Sequence, residues 1–203
     1  FRSPLTSIKG YTEALADGTI PAEMQEKYFN IILFETERLT KLTGNLLELN
    51  QLDHGSLVLE QENFDINDAI KKTSASFEQR CLDKHVSLDL IFDQKELMAY
   101  GDTGKIQQVI QNLLDNAIKF SPQDSVIKIH TLQKNHKIFV SIKDYGIGIP
   151  KESQKKIWNR FYKTDVSRGK DKTGTGLGLS ITKEIIQSHN ENINVVSTEG
   201  VGT

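Results

Sequence analysis

The stretch N-L-L-D-N-A-I-K-F, residues 112–120, is the part of this sequence that most clearly defines a fold. It belongs to a run, residues 103–120, in which apolar residues recur every three or four positions, as in an amphipathic helix. Asn112, Asn116 and Lys119 share one face of that helix, because residues three and four apart are neighbours there. The run predicts a helix with an apolar core face and a polar face of carboxamides and an ammonium group, which alone is typical of a solvated surface.

Two glycine-containing segments follow this helix. The first, D-Y-G-I-G-I-P at 144–150, comes after a predicted strand, where the Asp144 carboxylate can accept a hydrogen bond from an amine and glycines let a flat ring approach. The second, T-G-T-G-L-G-L-S at 173–180, opens a predicted helix, and its N–H groups can cradle a phosphate. Each segment alone is weak evidence, since short glycine motifs also occur in ordinary turns and linkers.

Composition limits the class of protein. The chain has 203 residues, of which 37% are hydrophobic and 26% charged, as in a soluble globular protein of one or two domains. Its net charge of −2 gives no electrostatic reason to bind nucleic acid or an anionic membrane. The single cysteine, Cys81, excludes an intramolecular disulfide and a cysteine-based zinc site and favours a reducing compartment. No apolar run approaches the roughly 20 residues of a membrane helix.

The N-terminal quarter of the chain is helical in pattern. Periodicity over residues 1–16, a break at Asp17-Gly18 and a second run from about Ala22 to about Leu52 predict a helical hairpin. Leucines in the second helix follow the 3–4–3 spacing of a coiled-coil seam, which one hairpin cannot bury, so we expect a symmetric dimer that forms a four-helix bundle. These leucines are Leu39, Leu42, Leu46 and Leu49.

The remainder of the chain mixes strands and helices. We expect strands at 57–59, 87–92, 126–131, 137–143 and 193–197, helices at 67–81, 103–120, 153–161 and 179–189, and a mobile loop at 167–178. Long helices with antiparallel strands are typical of helices layered on one sheet face. The predicted fold class is therefore α+β: a helical hairpin over residues 1–55, a hinge near His54–Ser56, and an α/β sandwich over residues 56–203.

Five motifs occur in a fixed order: N-L-L-D-N-A-I-K-F-S-P, D-Y-G-I-G-I-P, R-F-Y-K-T-D, G-T-G-L-G-L-S-I-T-K-E-I-I and G-V-G-T. Together they resemble the asparagine, first glycine, phenylalanine, second glycine and final glycine motifs of the ATP-binding domain of bacterial sensor histidine kinases. The start, F-R-S-P-L-T-S-I-K-G-Y, resembles that family's dimerisation and phosphotransfer helix. The resemblance covers essentially the whole chain. It implies a kinase that uses ATP and Mg²⁺, phosphorylates a histidine, and passes the phosphoryl group to an aspartate of a response-regulator receiver domain.

The resemblance also implies roles for single residues. Asp144 would receive the adenine amino group, Asn116 would ligate Mg²⁺, and Lys119 would contact the phosphates. Lys163 stands where the family frequently has Arg, and an ammonium group would clamp the γ-phosphate less firmly than a guanidinium fork. The implied catalytic residues are Ser3, Asn112, Lys119 and Lys163. The implied nucleotide-binding residues are Asn112, Asn116, Lys119, Asp144, Gly146, Gly148, Phe161, Tyr162, Gly174, Thr175, Gly176, Leu177, Gly178 and Thr203.

The N-terminus departs from the family's pattern. The acceptor histidine would precede Phe1 by two residues and its acidic neighbour by one, so we expect both to lie outside this chain. Ser3 falls where the family carries Thr or Asn, which would allow phosphatase activity toward the regulator, although a plain helix-surface role stays open. We expect a homodimer through residues 1–55, in the cytoplasmic part of a membrane-anchored bacterial receptor that touches the membrane only through upstream segments.

Two other functions remain open. A scaffold would bind nucleotide and dimerise without transferring anything, but the presence of Asn116, Lys119 and Asp144 argues against it. A gyrase-type ATPase shares the nucleotide fold but usually has Glu where Asn112 stands. Because Asn cannot act as a general base, transfer to a protein acceptor is favoured over fast hydrolysis.

Overall fold

The computed structural model describes residues 2–53, 58–164 and 174–203. The helices are α1 (Arg2–Ala16), α2 (Gln25–Asp53), α3 (Ile66–Ala75), α4 (Glu78–Lys84), α5 (Thr103–Phe120) and α6 (Gly178–Ser188). The strands are β1 (Gln61–Asp65), β2 (Ser87–Phe92), β3 (Met98–Asp102), β4 (Val126–Lys134) and β5 (Lys137–Lys143). The predicted hinge at 54–56 and residues 167–173 of the predicted loop lie outside the described residues.

Helices α1 and α2 form the predicted hairpin. The chain leaves α1 through a turn in which Gly18 has a φ of 75° and the Thr19 N–H donates to Asp17 Oδ1 at 2.9 Å. A 3₁₀ turn at Ala22–Met24 then leads into α2. The rings of Tyr11 and Tyr28 pack at a centroid distance of 5.1 Å. The break and the two helices therefore lie where the sequence predicts them.

The predicted leucine seam of α2 needs correction. Leu49 is fully buried, and Leu42 packs against the same apolar cluster, which is built from α2, α5 and α6. The exposed large apolar side chains of α2 are not those of the predicted seam: Phe29 is 52% exposed, Leu33 61% and Leu47 65%. Part of the predicted dimer seam thus faces α5 and α6 of the same chain. These leucines are buried by long-range packing within the chain instead of by a second copy.

Residues 58–164 and 174–203 contain two sheets. Strands β1 and β3 pair antiparallel, while β2, β4 and β5 form a three-stranded sheet with a parallel β2–β4 pair and an antiparallel β4–β5 pair. The β4–β5 turn uses Asn135 and His136, both at positive φ, as a two-residue hairpin turn of type I′ requires. Buried side chains of α3, α4, α5 and β4 form one core between helices and sheet, and partly buried side chains of β2 pack against it. The predicted layered α+β class is confirmed.

Two predicted elements of this region are wrong, and one strand was missed. The strand expected at 57–59 is absent over Val58 and Leu59, and β1 begins at Gln61 instead. The helix expected at 67–81 is divided into α3 and α4, because the chain turns at Ser76 to place Phe77 in the core, where it is 3% exposed. Strand β3 was not expected.

Two further segments differ from the prediction. Residues 153–161 form consecutive turns rather than a regular helix, with N–H groups bonded mainly to carbonyls three residues back, as in Lys156 to Ser153 at 2.8 Å. Residues 193–197 have the alternating burial of a strand but pair with no strand in the described part of the chain. The antiparallel bridge Thr198↔Gly202 follows directly after them.

Candidate nucleotide site

Helix α5 supplies the polar face that the sequence singled out. The Asp102 side chain caps its N-terminus by accepting the Lys105 N–H at 2.9 Å. Its core face is buried, which turns Asn112, Asn116 and Lys119 toward the half-buried side of the helix. Among the described residues, the Asn116 side chain has no hydrogen-bond partner, so its carboxamide is available to a ligand.

Asn112 joins α5 to the start of α6. Its Nδ2 donates to the Gly178 carbonyl at 3.3 Å and lies 3.5 Å from Thr182 Oγ1. A Cβ at Gly178 would lie 3.6 Å from Asn112 Oδ1, an ordinary contact distance. The asparagine face and the second glycine segment, 66 residues apart in sequence, therefore meet in space.

Asp144 occupies the predicted position at the end of β5. Its Oδ1 accepts the Gly146 N–H at 2.8 Å, and its own N–H donates to the Thr203 carbonyl at 2.8 Å. Burial raises the pKa of the Asp144 carboxyl above its ordinary value, although hydrogen bonds from the N–H groups of Gly146 and Thr203 act in the opposite direction. The structure therefore brings Asp144, Gly146 and Thr203 together.

Glycines are required where the first glycine segment crosses its neighbours. A Cβ at Gly146 would lie 2.5 Å from the Phe120 carbonyl oxygen at the end of α5. Gly148 has a φ of 66°, and a Cβ there would lie 2.0 Å from the Thr198 carbonyl oxygen. Side chains at these positions would push apart the end of α5, the first glycine segment and the C-terminal turn. A cleft of about 480 Å³ opens beside this crossing and is lined by Lys119 among others.

The phenylalanine motif meets the second glycine segment. The Phe161 N–H donates to the Gly176 carbonyl at 2.9 Å, and both residues are left-handed, with φ of 62° and 73°. A Cβ at Gly176 would lie 2.9 Å from Phe161 Cα. Tyr162 is held separately, by a hydroxyl that donates to Ser153 Oγ at 2.9 Å. The phenylalanine motif and the second glycine segment are thus joined by their backbones, and the half-buried Lys163 directly follows Tyr162.

The remaining residues of the predicted site lie in different surroundings. Leu177 is fully buried in the apolar cluster of α2, α5 and α6, which leaves only its backbone for a ligand. Thr175 Oγ1 lies 3.3 Å from the Leu177 N–H and 3.3 Å from Asn45 Nδ2 of α2. Gly174 is half-buried at the start of the same segment. Ser3 is exposed on the first turn of α1, in the helical hairpin rather than beside α5.

His189 connects the C-terminal end of α6 to the residues that precede α5. His189, which follows α6, accepts the Asp102 N–H on Nε2 at 2.9 Å, and its Nδ1 lies 2.8 Å from the Ile185 carbonyl oxygen. Since Nε2 accepts this bond, Nδ1 is the ring nitrogen that donates to the Ile185 carbonyl oxygen. A Cβ at Gly101 would lie 2.9 Å from the ring, so this position also needs glycine. The end of α6 is therefore tied to the beginning of α5.

Sequence reasoning missed the residues of α2 that contact this region. Asn45 and Glu48 bond to Thr175 and to Lys105 and Gln108, respectively. No motif marks them, because their partners lie 57 to 130 residues away in sequence.

The described residues contain no group of three or more His, Cys, Asp or Glu side chains that would hold a metal ion. Among the described helices, none has the length and hydropathy needed to cross a bilayer.

Family models match both parts of the chain. One, described as histidine kinase-, DNA gyrase B-, and HSP90-like ATPase, matches residues 101–203, which include α5, the first and second glycine segments and the C-terminal turn. The fold and this site therefore define an ATP-binding domain of that class. A second, the His Kinase A (phospho-acceptor) domain, matches residues 1–55. With both in this order, the chain belongs to the sensor histidine kinase family.

Individual relatives agree with this assignment. Sensor protein kinase WalK of Staphylococcus aureus is 37% identical over 205 residues, which cover 100% of this chain and 49% of the relative. WalK of strain JH9 is equally similar, with 33% of its length covered, so the chain spans between a third and a half of these relatives.

Solved structures share the arrangement. Acinetobacter baumannii histidine kinase AdeS has a TM-score of 0.76 and 27% identity, covering 92% of this chain and 85% of that one. Histidine kinase ThkA, in complex with response regulator protein TrrA, has a TM-score of 0.75 and 29% identity, covering 94% and 52%.

Proposed function

We propose that this chain is the kinase core of a sensor histidine kinase. In this proposal residues 56–203 bind ATP with Mg²⁺, and the γ-phosphoryl group passes to a histidine that precedes Phe1 in a longer protein. An aspartate of a response-regulator receiver domain then accepts it. The supporting observation is that both glycine segments contact α5, one through Gly146 and Phe120 and the other through Gly178 and Asn112. In this proposal α5 therefore has the adenine pocket at its C-terminal end and the phosphate-binding segment along its side.

Asp144 is the proposed adenine contact. Its half-buried carboxylate follows β5 and is oriented by the Gly146 N–H, which leaves oxygen lone pairs for an exocyclic amino group. The close approach of Gly146 and Gly148 to their neighbours keeps this pocket free of side chains. Thr203, which bonds to Asp144 through its backbone, is the proposed residue that helps to hold adenine.

The described residues fit Mg²⁺ through carboxamide oxygen rather than through a carboxylate cluster. Asn116 is half-buried and has no described hydrogen-bond partner, and Mg²⁺ accepts a few protein oxygens beside water and phosphate oxygens. When bound, the ion would offset phosphate charge. Lys119 and Lys163 are the proposed ammonium contacts to the phosphates, and Asn112 holds the cradle of α6 against α5. Phe161, Tyr162 and the segment 174–178 would border the loop that covers ATP.

Residues 1–55 are the proposed dimerisation and phosphotransfer part. Exposed apolar side chains on the hairpin, including Leu5, Phe29 and Leu33, support a homodimer. Ser3, exposed near the start of α1, is the proposed residue for removal of phosphate from the regulator. We further propose that the chain belongs to the cytoplasmic part of a membrane-anchored bacterial receptor, which rests on its similarity to sensor kinases.

Nucleotide binding is tested by calorimetry with Asp144→Ala. We expect the affinity for Mg·ATP to fall more than tenfold, because an unpaired buried amine costs roughly 1–3 kcal/mol. Asp89→Ala, an exposed change on β2, is the matched control and should leave the affinity unchanged. An unchanged affinity in folded Asp144→Ala would remove Asp144 from the site.

Phosphoryl transfer is tested with γ-labelled ATP. The 203-residue chain should remain unlabelled, since transfer needs an acceptor nitrogen roughly 3–3.5 Å from phosphorus and in line. A chain extended upstream through the histidine should take up acid-labile label, and changing that histidine to Gln should abolish it. Nucleotide binding without label on the extended chain would favour the scaffold, and rapid release of free phosphate would favour the gyrase-type ATPase.

A further inference from the structure

The C-terminal end of α5 supports the proposed nucleotide site. Asn116 and Lys119 lie in its last two turns, and the Phe120 carbonyl oxygen lies against the first glycine segment. The helix stops here because Ser121 is extended, with a ψ of 146°, and its N–H bonds back to the Ala117 carbonyl at 3.1 Å. The carbonyl groups that follow Ala117 therefore need hydrogen-bond donors from outside the helix.

Lys84, the last residue of α4, supplies such donors. Its Nζ donates to the carbonyl oxygens of both Ile118 and Lys119. The Lys84 side chain is half-buried, and it lines the same cleft of about 480 Å³ as Lys119. A positive charge at the C-terminus of a helix interacts favourably with the helix dipole. Lys84 therefore caps α5 from a different element, at the edge of the cleft.

A second contact joins α4 to α5 one turn earlier. Arg80 Nη2 pairs with Asp115 Oδ1 at 2.6 Å. Because this pair is partly exposed and screened by water, its loss should cost little stability. Arg80 thus joins the same two helices as Lys84, but it contacts a side chain instead of the carbonyl groups at the helix end.

The chain that follows α4 fixes the point from which Lys84 extends. His85 is left-handed, with a φ of 56°, and its carbonyl accepts the Asp124 N–H at 2.7 Å. The N–H of the buried Val86 donates to the Cys81 carbonyl at 2.9 Å. These bonds hold the end of α4 in place beside the end of α5.

We propose that Lys84 is a positioning residue for the nucleotide site: by capping α5, it holds Asn116 and Lys119 in the orientation that receives the phosphates. This inference deepens the proposed function and rests on it. Lys84 acts through α5 and does not need to touch the nucleotide. Its charge also offsets the partial negative charge at the end of α5, which would otherwise repel phosphate oxygens near Lys119. The effect of Lys84 is therefore larger for ligands that carry phosphates.

Calorimetry with Mg·ATP tests the positioning. Lys84→Met removes the charge and the donors but keeps an unbranched side chain. We expect the affinity to fall about tenfold, within the usual range of coupling between a ligand and a group that it does not touch. Lys84→Arg keeps the charge and the donors and should retain most of the affinity. Arg80→Met is the matched control, since it removes the other contact between α4 and α5, and should leave the affinity unchanged.

Adenosine separates the phosphate side of the site from the adenine side. Its affinity is measured by displacement of a fluorescent ATP analogue. Because adenosine carries no phosphates, we expect Lys84→Met to lose less affinity for adenosine than for Mg·ATP. A loss of overall packing would instead reduce both affinities alike.

Hydrogen exchange tests the cap without nucleotide. Exchange of the backbone amides of residues 118–121 should be faster in Lys84→Met than in the parent, because the end of α5 opens more often, and should stay near the parent rate in Lys84→Arg and Arg80→Met. If Lys84→Met does not fold, Lys84→Gln, which keeps a donor without the charge, serves for both measurements with the same expected direction.

Each outcome decides one part of the proposal. An unchanged Mg·ATP affinity in folded Lys84→Met, or an equal loss in Arg80→Met, would overturn the positioning role. Equal losses for Mg·ATP and adenosine would overturn its connection to the phosphates, and unchanged hydrogen exchange would overturn the cap. Absence of nucleotide binding in the parent chain would instead contradict the proposed function, and hydrogen exchange would still decide whether Lys84 caps α5.

Discussion

The helical hairpin and the nucleotide-binding region bury their apolar residues in different ways. The second region has a continuous core in which Leu114, Ile127 and Ile129 are 0% exposed. In the hairpin, Leu5 is 51% exposed and Leu33 is 61% exposed, and the fully buried Leu49 owes its burial to α5 and α6. One region supplies its own core, whereas the other depends on surfaces outside itself. This difference predicts which substitutions unfold the chain and which only change its assembly.

The largest effect is expected at the exposed face of the hairpin. Leu33→Lys should weaken the homodimer roughly a hundredfold or more, because each of the two copies loses an apolar contact of about 1.5–3 kcal/mol. Light scattering should therefore give Leu33→Lys half the molecular mass of the parent dimer. Leu82→Lys on α4 changes a similarly exposed leucine, at 64%, outside the hairpin and should leave the mass unchanged. A parent chain that is monomeric at tens of micromolar would contradict the proposal that the hairpin buries its apolar face against a second copy.

A core substitution should act on folding instead of assembly. Leu114→Ala should lower the free energy of unfolding by about 2–5 kcal/mol, the usual cost of removing a fully buried leucine side chain. Urea denaturation measures this change, and Leu82→Ala serves as the exposed counterpart. If Leu114→Ala and Leu33→Ala cost the same at fixed protein concentration, the two regions would not differ as proposed.

Asn116→Ala should have a smaller effect that appears only with metal. We expect a several-fold loss of ATP affinity in Mg²⁺ and a lesser loss when the metal is chelated, because the carboxamide would act through the ion. Gln111→Ala, an exposed change on α5, controls for altered helix propensity. Equal losses in both conditions would make the role of Asn116 structural.

The smallest effect concerns Asp144 and pH. Burial raises its pKa in the folded chain above the unfolded value, so the folded state binds the proton more tightly. This contribution to stability is complete below the unfolded pKa and is lost as pH rises through the folded pKa. Urea denaturation should therefore show Asp144→Asn gaining stability relative to the parent as pH rises through that interval. A difference that does not vary with pH would mean that burial does not control this carboxyl.

Local patterns were sufficient for elements with strong local signals. The bounds of α5 match the prediction because eighteen residues carry one apolar stripe. Asp65 caps α3 by accepting the Asn67 N–H at 3.0 Å, a short-range signal of the same kind. Strand β1, Q-E-N-F-D, was not predicted because it is polar and mostly exposed, and its pairing with β3 is what defines it.

The candidate site shows the same limit. Its motifs lie in short segments with distinctive glycines and carboxamides, so each was visible in the sequence. Asn45 and Glu48 are ordinary polar residues on a helix, and only the docking of α2 on α5 and α6 gives them partners. The division of the α2 leucines between two partners was hidden for the same reason.

The anchoring of His189 has a mechanical consequence. Helix α6 is fastened at its C-terminal end through His189 to the Asp102 N–H, while its N-terminal end continues the second glycine segment. An 11-residue helix is about 16 Å long, so a tilt of about 10° around this fulcrum moves its first turn by about 3 Å. The helix would thus act as a lever: a displacement of the phosphate cradle is largest at Leu177, the N-cap of α6, which packs in one cluster with Leu49, and decreases toward His189.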